Sequence, residues 1–414
     1  MAASGTVQVL RDRNSGLYLG GVLVSAFGSS AMGLAAGIWV KSLTGSSSLA
    51  GLTTFCIWAP VLAGPLIGTV ADRVRRRPLL IWVNLVTMAV LPLLLVVRSP
   101  SLVWVLFAVL VAYGVGTVLA DAAESALVVH AVPEGLRGDF NGLRLTVNEG
   151  MKLLAPLAGA GLFAAFGGRA VVSLDAATFA VASAMFALMP VREPRPSRSA
   201  GAGWWRDTTD GVRHLWSNIV LRRLVLAGAA TMLLAGLNGA AIYAVADAGL
   251  HRPPTFVGVL YAVQGLGSVV AGVAAGPVMR LIPVHWFAAG GIALFAAGAA
   301  VRALPSIPVA LVASVAIGAG LPGVLVAALT SVQGRTPGPV VGRVTATANT
   351  VIFVPNAVTL AVGAALIAVI DHRIVLVGIG LAGAATALFC LTARESDRDR
   401  TAPAAEPRPV QRDP

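Results

Sequence analysis

The chain has 414 residues, 57% of them hydrophobic and 12% charged, with a mean hydropathy of +0.83 and a formal net charge of +12. Soluble domains are about 25% charged, and a water-soluble chain of this length needs more polar surface than this one carries. A polytopic membrane protein is the class that remains. Two cysteines, Cys56 and Cys390, both in apolar runs, give no disulfide framework and no zinc spacing, and read as small buried side chains.

A membrane-crossing helix needs about 20 predominantly apolar residues. That window predicts twelve spans: 17–40, 50–70, 79–97, 101–129, 143–166, 170–190, 224–246, 255–279, 284–301, 308–330, 344–370 and 374–391. The runs are continuously apolar, without the period-two alternation of a membrane β-barrel. With both termini cytoplasmic, the inner loops and tail hold 23 Lys and Arg and the outer loops hold 6. The positive-inside rule selects that orientation and accounts for the basic charge without nucleic acid. All but Lys41 and Lys152 of the basic residues are arginine, a skew that a GC-rich bacterial genome produces. The first apolar run is too long for a cleavable signal. The location predicted is a bacterial plasma membrane.

The organisation predicted is a six-span bundle at 1–191, a cytoplasmic linker at 192–223, a second six-span bundle at 224–393 and a disordered tail at 394–414. The linker opens on Pro, Ser and Gly, then carries Trp204, Trp205 and Trp216 among arginines, as an interfacial helix does. The tail is charged and proline-rich. "AGPLIG" at 63–68 and "AGPVMR" at 275–280 end the second span of each half, a faint internal repeat. In "GVLYAVQGLGSVVAGVAAG" (258–276), small residues recur at three- and four-residue steps, which fits tight packing and sliding helices alike.

After the second span comes a charge cluster, Asp72, Arg73, Arg75, Arg76 and Arg77, beginning four residues beyond Gly68. On that cluster, and over nearly its whole length, the chain resembles the major facilitator superfamily. That family's loop pattern between spans two and three is Gly, three residues, Asp, Arg, any residue, Gly, Arg, then Arg or Lys. Here Gly68, Asp72, Arg73, Arg76 and Arg77 stand in that pattern, with Arg75 where the family usually has glycine. "LTGSS" (43–47), "GDFNGLRLTVNEGMKLLAPLAGAGLF" (138–163), "LTSVQGRTPG" (329–338) and "GRVTATANTVIFVPN" (342–356) look like the macrolide-efflux and siderophore-exporter branch of multidrug exporters. Ala155, Pro156 and Gly159 partly match a Gly-Pro-x-x-Gly antiporter signature, with Ala155 in place of its first glycine. The resemblance implies an all-α fold of two pseudo-symmetric six-helix bundles. It also implies a cytoplasmic latch at Asp72, Arg73 and Arg76 that holds the outward-open state. Arginines in that loop also serve as a plain topology anchor; an anchor alone has no need of Asp72.

An ionisable group inside a span costs about 2.5–3.5 kcal/mol on insertion scales and is a functional candidate by default. Glu149 and Lys152 lie three apart on span five, on one helix face, with Glu149 ~9 Å from the inner start at ~1.5 Å per residue. They read as a proton site or as a standing ion pair. Asp121 and Glu124 share a face of span four near its inner end, as proton sites or as a solvated helix end. Glu149 is the first candidate for proton coupling. Asp175 and Asp247 fall near outer span ends, where a solvated or capping role is expected. A pocket for amphipathic compounds wants apolar and aromatic walls with a few polar groups. Trp39, Trp58, Tyr113, Asn238, Tyr261, Gln264, Asn349 and Asn356 supply such groups; each asparagine also suits interhelical hydrogen bonding.

No Walker-type phosphate loop is present, the five histidines form no metal spacing, and no nucleophile–base arrangement suggests an enzyme. The expectation is a monomeric secondary transporter without cofactor, powered by the proton gradient. It would export a small amphipathic compound by alternating access. The alternatives are a proton-coupled importer or symporter on the same fold, and a transport-dead membrane sensor or scaffold.

Overall fold

A computed structural model describes residues 2–64, 66–67, 74–133, 136–191, 193, 212–336 and 341–391. The secondary structure of the described residues is helical, with no strand among them. After an N-terminal helix, Ala2–Arg11, come the predicted spans. They are α1 Arg13–Thr44, α2 Ser47–Trp58, α3 Arg76–Val90, α4 Val103–Ala131, α5 Arg137–Phe166 and α6 Gly168–Ala187. The second half has α7 Ile219–Ala244, α8 Phe256–Leu281, α9 Val284–Val301, α10 Ile307–Arg335, α11 Val341–Val369 and α12 His372–Leu391. Ten helical segments among the described residues are long and apolar enough to cross a membrane.

The two remaining spans have identifiable causes. Span two is broken: Pro60 removes a backbone donor, and the chain tightens after α2 into a 3-10 turn at Ala59–Ala63. Span five is helical over all of α5, but Arg137, Asp139, Arg144, Glu149 and Lys152 make its first half polar, leaving Leu154–Phe166 apolar. Pro92 likewise converts the end of span three into a 3-10 segment, Leu91–Val96.

Helix ends follow local chemistry. Asp12 caps α1 by accepting from Ser15 N at 2.8 Å. Gly45, at φ +69°, closes α1 in the left-handed conformation that glycine tolerates. Asn218 caps α7, accepting from Val220 N and Leu221 N at 3.0 and 3.1 Å, so α7 starts ahead of the predicted residue 224. The described part of the linker includes a short helix at 212–217 with Trp216 exposed; Trp204, Trp205 and the tail from 392 lie outside the described residues.

The two halves share one packing plan. In the first, α1 packs on α5 and α6, α3 on α4 and α6, and α2 on α4. In the second, α7 packs on α11 and α12, α9 on α10 and α12, and α8 on α10. Small residues let the backbones approach, since lipid supplies no hydrophobic drive between helices. A Cβ on Gly318 of α10 would stand 1.8 Å from the Gln264 carbonyl oxygen on α8. One on Gly159 of α5 would stand 2.5 Å from the Ala31 carbonyl oxygen on α1. In the 258–276 stretch, Gly258 and Gly267 are such close-approach positions, whereas Gly272 and Gly276 face open space.

The halves meet through α5 on α8 and through α2 on α7 and α11. Three hydrogen bonds tie them at the end away from the N-terminus of α1. Lys41 Nζ donates to Asp247 Oδ2 at 2.5 Å, Tyr243 Oη to the Leu34 carbonyl at 3.3 Å, and Ser48 Oγ to the Ala364 carbonyl. A π-helical turn, Val245–Gly249, ends α7 and carries Asp247.

Candidate translocation cavity and its buried charges

Between the halves lies a cavity of about 390 Å³. Ser29, Ser30, Gly33 and Leu34 of α1, Thr54, Ile57 and Trp58 of α2, and Pro156 of α5 line it from the first half. Tyr243 of α7 and Tyr261, Gln264, Gly265 and Ser268 of α8 line it from the second. The walls combine aromatic and aliphatic faces with hydroxyls. The Gln264 Oε1 is buried and has no hydrogen-bond partner among the described residues. The tie at Lys41–Asp247 and the Tyr243–Leu34 bond close this space at one end.

A second cavity, about 170 Å³, lies inside the first half. Ser25, Asn84, Thr87, Tyr113, Thr117, Asp121, Glu124 and Arg144 give it polar walls. Ser29 lines both cavities, so the two share a boundary one side chain thick. The predicted helix face of Asp121 and Glu124 is real, and α5 brings Arg144 to it: Arg144 Nη2 stands 3.7 Å from Glu124 Oε2. Glu124 is buried while Asp121 is exposed to the cavity. Tyr18 holds this turn of α4 by donating to the Glu124 carbonyl at 2.9 Å. Two acids share this wall with one arginine, so the trio carries either a net negative charge or a proton.

Other predicted residues have different surroundings. The side chains of Glu149 and Lys152 lie outside the described set, as do Gly68, Asp72 and Arg73. Arg76 and Arg77 open α3, and their backbone N–H groups donate to the two Glu193 carboxylate oxygens at 2.6 and 2.7 Å. Arg77 also donates from Nε to the Phe186 carbonyl at 2.9 Å and from Nη2 to the Ala187 carbonyl at 2.5 Å, clamping the end of α6. Ala155 is buried, Pro156 lines the central cavity and Gly159 is a packing contact. Trp58, Tyr261 and Gln264 line the central cavity, and Tyr113 the second. Trp39 instead packs on Phe163, ring centroids 6.4 Å apart. Asn356 donates to the Met232 carbonyl at 2.9 Å, an interhelical bond, and Asn349 is half-buried and not among the side chains lining either cavity.

Three charges depart from their expected settings. Asp175 is not solvated: it is 0% exposed, and the Tyr113 hydroxyl donates to its Oδ2 at 3.1 Å. Asp247 is half-exposed but pairs with Lys41, which is itself buried. Arg302, placed by hydropathy in an outer loop, is 1% exposed. Its Nη1 donates to Asn238 Oδ1 at 3.3 Å and its Nη2 to Ser314 Oγ at 2.7 Å, so Asn238 serves this arginine rather than the cavity. Loop length gave no signal for Arg302, since Arg98 and Arg169 stand at connections as short and are exposed.

Two six-helix halves of one packing plan, meeting over a cavity with polar groups from both, define a transporter fold. The chain belongs to the Major Facilitator Superfamily, whose family model matches residues 18–246 and 224–413. Its fold is similar to that of a mutant of the nucleoside transporter NupG, with TM-score 0.73 at 12% identity over 92% of this chain and 99% of that one. A mutant of the peptide transporter POT in complex with sulfate gives 0.71 at 16% identity over 93% and 94%. A bacterial homologue of the iron transporter ferroportin in the inward-facing state gives 0.72 at 14% over 92% and 99%. No curated protein matches the sequence.

Proposed function

We propose that this protein is a proton antiporter that exports small amphipathic compounds from a bacterial cell by alternating access. The observation that carries the reading is the sharing of Ser29 by the central cavity and the acid-lined cavity. A proton bound at Asp121 or Glu124 changes the charge one side chain away from the space between the halves. Aromatic and aliphatic walls with Gln264, Tyr261 and Ser268 suit a compound with an apolar body and a hydrogen-bond donor. With the orientation read from loop charges, the tied end is extracellular, which is an inward-facing arrangement. In that state Arg144 competes with protons for the two acids. Substrate arriving in the central cavity and a proton leaving the acids are then alternatives for the same part of the cycle.

The test is efflux from inverted vesicles with and without a pH gradient, using macrolides, lipophilic cations and siderophores. Gradient-driven flux in the wild type that is lost in both Glu124→Gln and Asp121→Asn supports the assignment. Flux lost only in Glu149→Gln moves coupling to α5. Accumulation in the opposite direction refutes export.

A further inference from the structure

Asp175 is the buried acid for which the exporter reading has no role. It sits two turns into α6, wholly buried, and no Lys, Arg or His among the described residues pairs with it. A carboxylate withdrawn from water is expensive in its charged form unless a cation or strong hydrogen bonds compensate. The hydrogen bonds here are weak. Tyr113 donates to Oδ2 at 3.1 Å and Thr178 approaches Oδ1 at 3.3 Å, whereas O–H to carboxylate bonds are about 2.5–2.7 Å. The single Thr178 proton also has a nearer acceptor, the Asp175 carbonyl at 2.7 Å. This setting is built for a carboxyl group that is neutral for part of its life.

The acid also has a connection to the cavities. Tyr113 lines the acid-lined cavity, with Ser29 on the same wall, and donates to Asp175 Oδ2. Ser29 lines both cavities and Tyr113 lines the acid-lined one. The Tyr113 hydroxyl therefore links the cavity to a carboxyl group outside both cavities. The neighbours of Asp175 are Gly28 on α1, Tyr113 and Thr178; α3 and its 3-10 extension pack on α6 through apolar side chains including Leu91 and Leu94. Tyr113 is the only titratable group facing the acid from those elements among the described residues.

We infer that Asp175 is a second proton-carrying residue, loaded from the acid-lined cavity through Tyr113. This deepens the antiport reading and rests on it for its part in transport. In loading, a hydronium ion in the cavity gives its proton to Tyr113 Oη, and Tyr113 passes its own to Asp175 Oδ2. Two O–H bonds break and two form, one positive charge moves inward, and the carboxylate becomes a neutral acid. Release runs the step in reverse after the Tyr113 hydroxyl rotates. Glu124 and Arg144 sense the cavity directly; Asp175 stores its proton one relay away from it.

The experiment is infrared difference spectroscopy of the full-length protein in liposomes, stepping pH, with ¹³C-aspartate labelling to assign the carboxyl C=O band. It requires no substrate. The expected result is a titrating aspartic acid band in the wild type that vanishes in Asp175→Asn, persists in Glu124→Gln, and shifts in frequency in Tyr113→Phe. A titrating band left intact in Asp175→Asn, or no titrating buried-aspartate band in the wild type, overturns the assignment. Should Asp175→Asn fail to fold, Tyr113→Phe decides: an unshifted band refutes the relay. In vesicles, Asp175→Asn is expected to lose at least tenfold of gradient-driven flux while keeping downhill exchange, with Asp175→Glu restoring the pH dependence. Unchanged driven flux in Asp175→Asn overturns the role in coupling. Absence of driven flux in the wild type refutes antiport itself while leaving the infrared result to stand alone.

Discussion

The tie between Lys41 and Asp247 is open to quantitative attack. Lys41 is 7% exposed and Asp247 53% exposed, and the bond between them is 2.5 Å long. Half-exposure of the carboxylate screens the pair, which puts its contribution to closure at about 1–2 kcal/mol rather than the larger values of buried pairs. A change of that size shifts a two-state ratio by about 5- to 30-fold. The two ends of the bond are not equivalent. Removing Lys41 leaves Asp247 facing water, whereas removing Asp247 leaves a buried ammonium with the Gly45 carbonyl at 2.6 Å. Asp247→Asn is therefore expected to open the tied end more than Lys41→Met. The assay is a spin-label distance measurement between Ser101→Cys and Arg373→Cys, exposed positions just before α4 and at the start of α12. The long-distance fraction is expected to rise in each single variant, with the double variant adding little beyond the larger effect. Identical distance distributions in all four proteins, or strictly additive shifts, would refute the reasoning.

Two further outcomes follow from the packing and the caps. Gly318→Ala forces a methyl against the Gln264 carbonyl and is expected to cost about 1–3 kcal/mol or more by overpacking, read as a lowered melting temperature in detergent; Gly272→Ala, facing open space, serves as the control and should melt like the wild type. Glu193→Gln removes a charged acceptor from the first two N–H groups of α3 and is expected to cost about 0.5–2 kcal/mol, seen as faster hydrogen exchange confined to the first turn of α3 and the end of α6.

Apolar run length was sufficient to place the twelve helices, because lipid thickness and hydropathy set them locally. The breaks after α2 and α3 are written in Pro60 and Pro92, although a hydropathy window passes over both. The pairing of Asp121 with Glu124 on one face was legible from helical spacing alone. Its arginine was not, since Arg144 is set beside Glu124 by the packing of α5 rather than by position in the chain. Lys41 and Asp247 are 206 residues apart, and nothing near either residue announces the other. Asp175 was misplaced for a related reason. Seven residues from the start of α6 it reads as interfacial, yet α1 and α4 cover it, and only their arrangement in space supplies Gly28 and Tyr113.

The halves repeat one arrangement of helices but not one distribution of charge. The first half encloses Asp121, Glu124, Arg144 and Asp175; in the second, from 219 to 391, the acids are Asp247 and Asp371, both at the tied end, and the deeply buried ion is Arg302. The ionisable groups are divided: the first lobe holds the buried acids, and the second offers a fixed cation held by Asn238 and Ser314. A chimera built from two first lobes would crowd its midline with acids and lack that stationary counterpart. The lobes have become non-interchangeable parts of one machine.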